Sequence, residues 1–355
     1  MFEIDELVIA FIISLVATWI LTPQVKKLAV LIGAMDVPDH RKIHTVVTPR
    51  LGGLAIYLGV IAGFIYLQPT FTYFWPIMIG TFVIIITGIL DDIFQLKPVY
   101  KLAGQVIASG ILIYSGLLIE KITIPIIGIV PLESFSILIT FLWIIGITNA
   151  INLIDGLDGL ASGVTTIALT SIAVMAFVDV RVAVFMYCIV LIGSNFGFLY
   201  HNFHPAKIYM GDTGSMFLGY SVAVISILGL FKNVTLFSFI IPIIVLAVPI
   251  FDTLFAIVRR AFKGENIMMP DKFHIHYQLL AAGFSHRMTV LIIYAFSTVF
   301  GVLAILFSNA TLSASLIITL IVLVLLHIFA EIVGAVNGKK PVLRMLRKTL
   351  NKVNK

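Results

Sequence analysis

Asp91 and Asp92 are adjacent carboxylates at the end of an apolar run, where a helix C-terminus would already carry partial negative charge. That crowding calls for compensation by a divalent metal ion, by the ammonium groups of Lys97 and Lys101, or by a proton on one of the acids. Further along, Asn149, Asn152, Asp155 and Asp158 recur at every third position, so a helix or 3₁₀ turn would align them as one polar stripe. Gly156 and Gly159 loosen the backbone there and permit close approach of a ligand. An acidic calcium-type loop or a capped helix end has similar residue types, but two amides and two acids inside apolar sequence are costly unless they are used.

Two more clusters complete the set. Gly211-Asp212-Thr213-Gly214-Ser215 opens an apolar run, so Asp212 or Thr213 would stand near a helix N-terminus, where free N–H groups attract anions and an acid can hold a metal that bridges to phosphate. Capping alone explains the Asp, Thr or Ser, though not both glycines. Phe273-His274-Ile275-His276-Tyr277 sits among Arg259, Arg260, Lys263, Lys272, His286 and Arg287, a cationic loop suited to polyphosphate or simply to a positively charged inner face. Zinc is disfavoured, because Cys188 is the one cysteine and HExxH spacing is absent. His201 and His204 beside Asn202 read as structural or interface residues, and Asp252 reads as a pairing partner of Arg259, Arg260 or a neighbour.

The elements that must carry these residues are membrane helices. The 355 residues are 60% hydrophobic and 11% charged, against about 45–50% apolar and 25% charged in soluble domains. Mean hydropathy is +1.13. Eleven stretches approach the ~20 apolar residues a bilayer span needs: 7–22, 51–67, 74–90, 102–119, 136–150, 159–178, 182–200, 215–231, 235–258, 288–307 and 311–333. The first follows Glu3, Asp5 and Glu6 rather than a basic segment, and reads as a retained span, not a signal peptide. Pro242 and Pro249 should bend or break the ninth. With the N-terminus outside, 20 of the 23 lysines and arginines fall on the inner side, and so do all four polar clusters. Residues 334–355 read as a basic cytoplasmic tail, either solvated or an amphipathic helix on an anionic leaflet. The expected fold is therefore all-α, a polytopic integral membrane protein with one helical domain over 1–333 and no internal repeat.

With these residues in view, the chain resembles the polyprenyl-phosphate N-acetylhexosamine-1-phosphate transferase family. The resemblance rests on Asp36-Val-Pro-Asp-His-Arg41-Lys42-Ile-His44 with Pro49-Arg50-Leu-Gly52-Gly53, on Asp91-Asp92, and on Asn149 through Gly159. Asn202 with Tyr209-Met-Gly-Asp212-Thr-Gly-Ser215 and His274-Ile-His276 complete it, in the same order and on the same face. It implies transfer of N-acetylglucosamine-1-phosphate from UDP-N-acetylglucosamine to undecaprenyl phosphate at the cytoplasmic face of a bacterial plasma membrane, with release of UMP. The histidine spacing resembles the branch that includes the enzymes initiating wall teichoic acid. The muramoyl-pentapeptide transferase of the same family is the alternative.

The resemblance further implies Mg²⁺, or Mn²⁺ in its place, on Asp212 and Asn152. Asp91, Asp92, Asp155, Asp158 and His274 would form the catalytic set, the first two near the lipid phosphate. Lys101, Asn149, Arg260 and His276 would bind substrate, His276 and Arg260 on the donor diphosphate or sugar, while Asn202 and Tyr209 face the uracil. Tyr277 stands where a further histidine is expected, and Phe273 where a small polar residue is usual. The lipid bilayer is a partner, a homodimer is compatible with the pattern, and nucleic acid is not expected. An ion-coupled transporter is the rival from another class, but transporters place polar groups near the midplane in paired halves, whereas these crowd one edge.

Overall fold

The computed structural model describes residues 4–37, 47–124, 128–231, 240–264 and 273–333. Asp39, Arg41, Lys42 and His44 of the first motif, the cations Lys232 and Lys272, and the basic tail from 334 onward lie outside the described residues.

A helix occupies each of the eleven apolar stretches. In chain order they are α1 (Ile4–Ile32), α2 (Gly52–Leu67), α3 (Phe74–Phe94), α4 (Pro98–Tyr114), α5 (Phe135–Ile154), α6 (Leu160–Val178), α7 (Val182–Asn202) and α8 (Gly211–Ser226). There follow α9 (Ile240–Val245), α10 (Ala247–Lys263), the short α11 (Ile275–Ala281), α12 (His286–Ser308) and α13 (Leu312–Val333). Among the described residues, eight helices are long and apolar enough to cross a membrane. The protein is an all-α polytopic membrane protein.

Two boundaries depart from the expected ones for physical reasons. α1 does not stop at Pro23 but runs on to Ile32, 29 residues in all. At 1.5 Å per residue this is about 43 Å, longer than the ~30 Å hydrocarbon layer. The helix is thus long enough to carry its final turns, with Lys26 and Lys27, past the apolar slab. The ninth stretch is broken between Val245 and Ala247. Pro249 falls in the first turn of α10, where its missing N–H would have had no helical partner anyway.

Two small antiparallel pairings were not anticipated. β1 (Met35–Asp36) pairs with β2 (Thr48–Pro49), and β3 (Lys121–Ile124) with β4 (Gly128–Pro131). β2 continues into a seam in which Tyr209 N–H donates to Pro49 O, Gly52 N–H to Tyr209 O and Gly53 N–H to Met210 O, at 2.8 to 2.9 Å. The first inner segment is thus tied to the loop before α8.

α8 is the axis of the molecule. Every residue from Thr213 to Ser226 is buried, and α2, α3, α5 and α6 pack around it. By contrast α1 and α13 turn isoleucines, leucines and valines outward, as lipid-facing helices do. α2 approaches α8 closely because Gly53 has no side chain: a Cβ there would overlap the N and Cα of Gly214. Backbone cannot swing aside as a side-chain end can. Gly53→Ala is expected to cost about 1–3 kcal/mol through forced separation of the helices, read as a lowered thermal unfolding midpoint in detergent.

Candidate active site

Asp92 is buried at the end of α3, and its carboxylate caps the start of α8. Oδ1 accepts from the Asp212 N–H at 2.9 Å, while Oδ2 accepts from the Thr213 N–H at 3.0 Å and from Thr213 Oγ1 at 2.6 Å. The first N–H groups of a helix have no partner within it, and here a carboxylate from another helix supplies one. Gly211, at φ +71°, makes the turn that allows this, and a Cβ on it would strike the Asp92 carboxylate.

The positive charge demanded at the end of α3 comes from Arg50. Its Nη2 donates to the carbonyl oxygens of Asp91 at 3.2 Å and Asp92 at 3.1 Å, and its Nε to Asp92 O at 3.2 Å. Lys101 serves the side chains instead, with Nζ 3.3 Å from Asp91 Oδ2 and in direct contact with Asp212 Oδ2. Oxygens of Asp91, Asp92 and Asp212 lie within 4.8 Å of one another.

These residues fit a hard divalent cation. All three acids offer oxygen donors, the preferred ligands of Mg²⁺, and Lys101 already places a positive charge between two of them. Asn152, whose Nδ2 donates to Ser215 Oγ at 2.8 Å, stands with Asp212 on the wall of a cavity of about 740 Å³. The same cavity is lined by the Asp155–Asp158 turn, the loop from Asn202 to Met210, Arg50, Tyr277 and His286. Its size is in the range of small-molecule sites.

A sequence model described as "Glycosyl transferase family 4" matches residues 74–230, the segment that contains α3 to α8. Over nearly its whole length the chain is similar to the "Probable undecaprenyl-phosphate N-acetylglucosaminyl 1-phosphate transferase" of Bacillus subtilis, 47% identical over 357 residues and 98% of each protein. It is 34% identical to the "Decaprenyl-phosphate N-acetylglucosaminephosphotransferase" of Mycobacterium tuberculosis, across 89% of this chain and 87% of that protein. To the "Phospho-N-acetylmuramoyl-pentapeptide-transferase" of Listeria welshimeri it is 30% identical, across 85% and 97%. The chain belongs to the polyprenyl-phosphate N-acetylhexosamine-1-phosphate transferase family.

For a transferase of this family, the four-residue stripe divides rather than presenting one face. Asn149 and Asn152 are in α5, which ends at Ile154. Asn149 is exchanged with Gln105, donating to its Oε1 at 2.8 Å, and it does not line the cavity. Asp155 does, and burial, followed by the charges of Asp212, Asp92 and Asp158, pushes its carboxyl up to about 8. Asp158 Oδ2 is held by His204 Nδ1 at 2.7 Å and the Ala206 N–H at 3.0 Å, while its own N–H donates to His286 Nε2 at 3.0 Å.

The nucleotide-facing pair is placed unevenly. Tyr209 lines the cavity with its hydroxyl bonded to Thr48. Asn202 also lines it, but its Oδ1 accepts from Gly159 N–H and its Nδ2 donates to Ile208 O, both at 3.0 Å. That amide braces two loops. Arg260 is buried in α10 and is not among the lining residues.

His274 and His276 are both buried. His276 stacks near Tyr277, its ring nitrogens without a hydrogen-bond partner among the described residues, and burial holds its pKa down at about 4. Neutral at physiological pH and 1% exposed, it is not among the residues that line the cavity. The two unusual residues of this motif find physical reasons: Arg259 lies 4.8 Å over the Phe273 ring, and Tyr277 forms cavity wall. Tyr277→His substitutes one planar ring for another at that wall, and kcat/KM is expected to stay within about 3-fold of wild type, less than the loss of an ordinary hydrogen bond.

The sequence alone assigned no role to Arg50 or Gln105, although Arg50 lies within a quoted motif. Their partners are remote in the chain, so no local spacing signals them.

Proposed function

We propose that this protein transfers N-acetylglucosamine-1-phosphate from UDP-N-acetylglucosamine to undecaprenyl phosphate at the cytoplasmic face of a bacterial plasma membrane. The product starts a cell-wall or surface polymer, wall teichoic acid by the resemblance. The observation that carries this reading is the cluster of Asp91, Asp92, Asp212 and Lys101, formed where membrane helices end beside a cavity of nucleotide-sugar size. The names of the relatives support the choice of lipid and sugar.

In the reaction an oxygen of the lipid phosphate attacks the β-phosphorus of the donor. The bond from that phosphorus to the bridging oxygen breaks, and UMP leaves with the electron pair. Both partners are polyanions meeting at the edge of a low-dielectric medium, so neutralising and orienting charge is the main task. Asp212 and Asn152 would hold Mg²⁺, which when bound supplies that neutralisation for the diphosphate. Lys101 holds Asp91 and Asp212 in place and contributes its own charge. A phosphate monoester has its second pKa near about 6, so much of the acceptor is already dianionic at neutral pH. Asp91 therefore orients the acceptor through Lys101 rather than serving as an obligatory base. Asp155 lines the cavity beside these groups, Tyr209 offers a face for the base, and His276 backs the Gly156 turn of the cavity wall. The catalytic domain spans 1–333 with 334–355 as a cytoplasmic tail.

Donor choice tests the reading against the muramoyl-pentapeptide branch, which the Listeria relative represents. Membranes containing the protein should consume UDP-N-acetylglucosamine, and excess UDP-N-acetylmuramoyl-pentapeptide should not compete. Preferential use of the pentapeptide donor would move the chain to the other branch.

A further inference from the structure

Asp252 is a buried acid of α10 that the transfer chemistry described above does not use. Both its oxygens are bonded to one short segment: Oδ2 lies 2.7 Å from His274 Nδ1, and Oδ1 accepts from the Ile275 N–H at 2.9 Å. His274 is the extended cap residue immediately before α11. A second tie from the same helix, Arg259 over the Phe273 ring, fixes the residue just before it.

The chemistry of the contact limits what His274 can be. An ionised carboxylate only accepts, so the proton of a neutral His274 ring is held at Nδ1 and the lone pair is left at Nε2. The backbone bond at Ile275 fixes the start of α11, and with it the position of the next histidine. The His274 and His276 rings are parallel within 2°, with centroids 6.0 Å apart. His276 in turn packs against Gly156, in the turn that lines the cavity. A row of neighbouring groups thus leads from Asp252 through the two buried histidine rings to the Gly156 turn on the cavity wall.

We infer that Asp252 is a positioning residue for transfer: it sets the tautomer and ring orientation of His274 and the start of α11, and so governs how the histidine pair backs the cavity wall that meets the nucleotide sugar. The inference rests on the transferase reading and adds to it a residue that touches no reacting atom. A merely structural acid would serve equally well whichever tautomer it imposed.

The test is a double-mutant cycle in the full-length protein, with UDP-N-acetylglucosamine as the varied substrate. Asp252→Asn keeps the shape and can still accept from Ile275, but it turns a donor toward His274 Nδ1 and forces the opposite tautomer. Its kcat/KM is expected to fall about 10- to 100-fold, as on losing the carboxylate partner of other functional histidines, with little change in thermal midpoint. His274→Ala should fall comparably. In the His274→Ala background the additional effect of Asp252→Asn should shrink to less than about 2-fold, the mark of residues acting through one another. Should Asp252→Asn not fold, Asp252→Glu carries the same cycle, its longer stem displacing the ring. An active wild type with Asp252→Asn at full kcat/KM, or with equal losses in the two backgrounds, overturns this inference and leaves the transferase reading intact. A wild type that transfers nothing overturns both.

Discussion

Asp212→Ala should lower transfer by at least about 100-fold, the scale seen when one preorganised electrostatic contact to a transition state is removed, while membrane insertion and thermal stability stay close to wild type. The two effects separate because of which atoms do which work. The start of α8 is capped through the Asp212 backbone N–H, which donates to Asp92 Oδ1 at 2.9 Å and survives the substitution. What is lost is the carboxylate on the cavity wall, in contact with Lys101 and among the oxygens suited to a divalent cation. Turnover by purified protein at ordinary Mg²⁺ reads the first effect and thermal unfolding in detergent the second. Near-normal turnover by well-folded Asp212→Ala would remove this residue from the site.

Asp92→Ala should behave differently from Asp91→Ala, although the two acids are neighbours in sequence. Asp92 accepts three hydrogen bonds from the first turn of α8 and sits 3.8 Å from Arg50 Nε. Removing a buried charge from its partners costs about 3–5 kcal/mol, so the expected result is a marked drop in thermal midpoint together with loss of transfer. Asp91 meets Lys101 with its side chain, while Arg50 bonds only its backbone carbonyl, which every residue has. Asp91→Ala should therefore lose transfer with a much smaller stability change. Equal midpoints for the two variants would mean that Asp92 is not the cap of α8.

The contrast shows where sequence reasoning reached and where it stopped. Apolar runs located a helix at each of eleven places, and the proline pair located the break before α10, because both are short-range effects of solvent and backbone. The need for a cation beside Asp91-Asp92 was also legible from charge crowding alone. Lys101, one of the two lysines expected there, does meet Asp91 at 3.3 Å, but the second cation was not legible: Arg50 lies some forty residues away and arrives through the seam linking Pro49 and Gly52 to Tyr209. Likewise the every-third-residue pattern suggested one polar face, but α5 ends at Ile154, so Asn149 turns to Gln105 and Asp158 to His204. Asp252, expected to pair with Arg259, Arg260 or a neighbour, bonds through both oxygens to the His274-Ile275 segment, a partner its own stretch of sequence does not name. In each case the deciding contact joins segments that only the packed helices bring together.

The reaction itself admits a single direct measurement. Purified wild-type protein in detergent, given Mg²⁺, UDP-N-acetylglucosamine labelled in the sugar and undecaprenyl phosphate, should release one UMP for each labelled sugar that moves into the lipid-extractable fraction, and should release none when the lipid is left out. UMP release without a labelled lipid product, or label accumulating inside proteoliposomes as unaltered UDP-sugar, would contradict sugar-phosphate transfer and favour hydrolysis or transport instead.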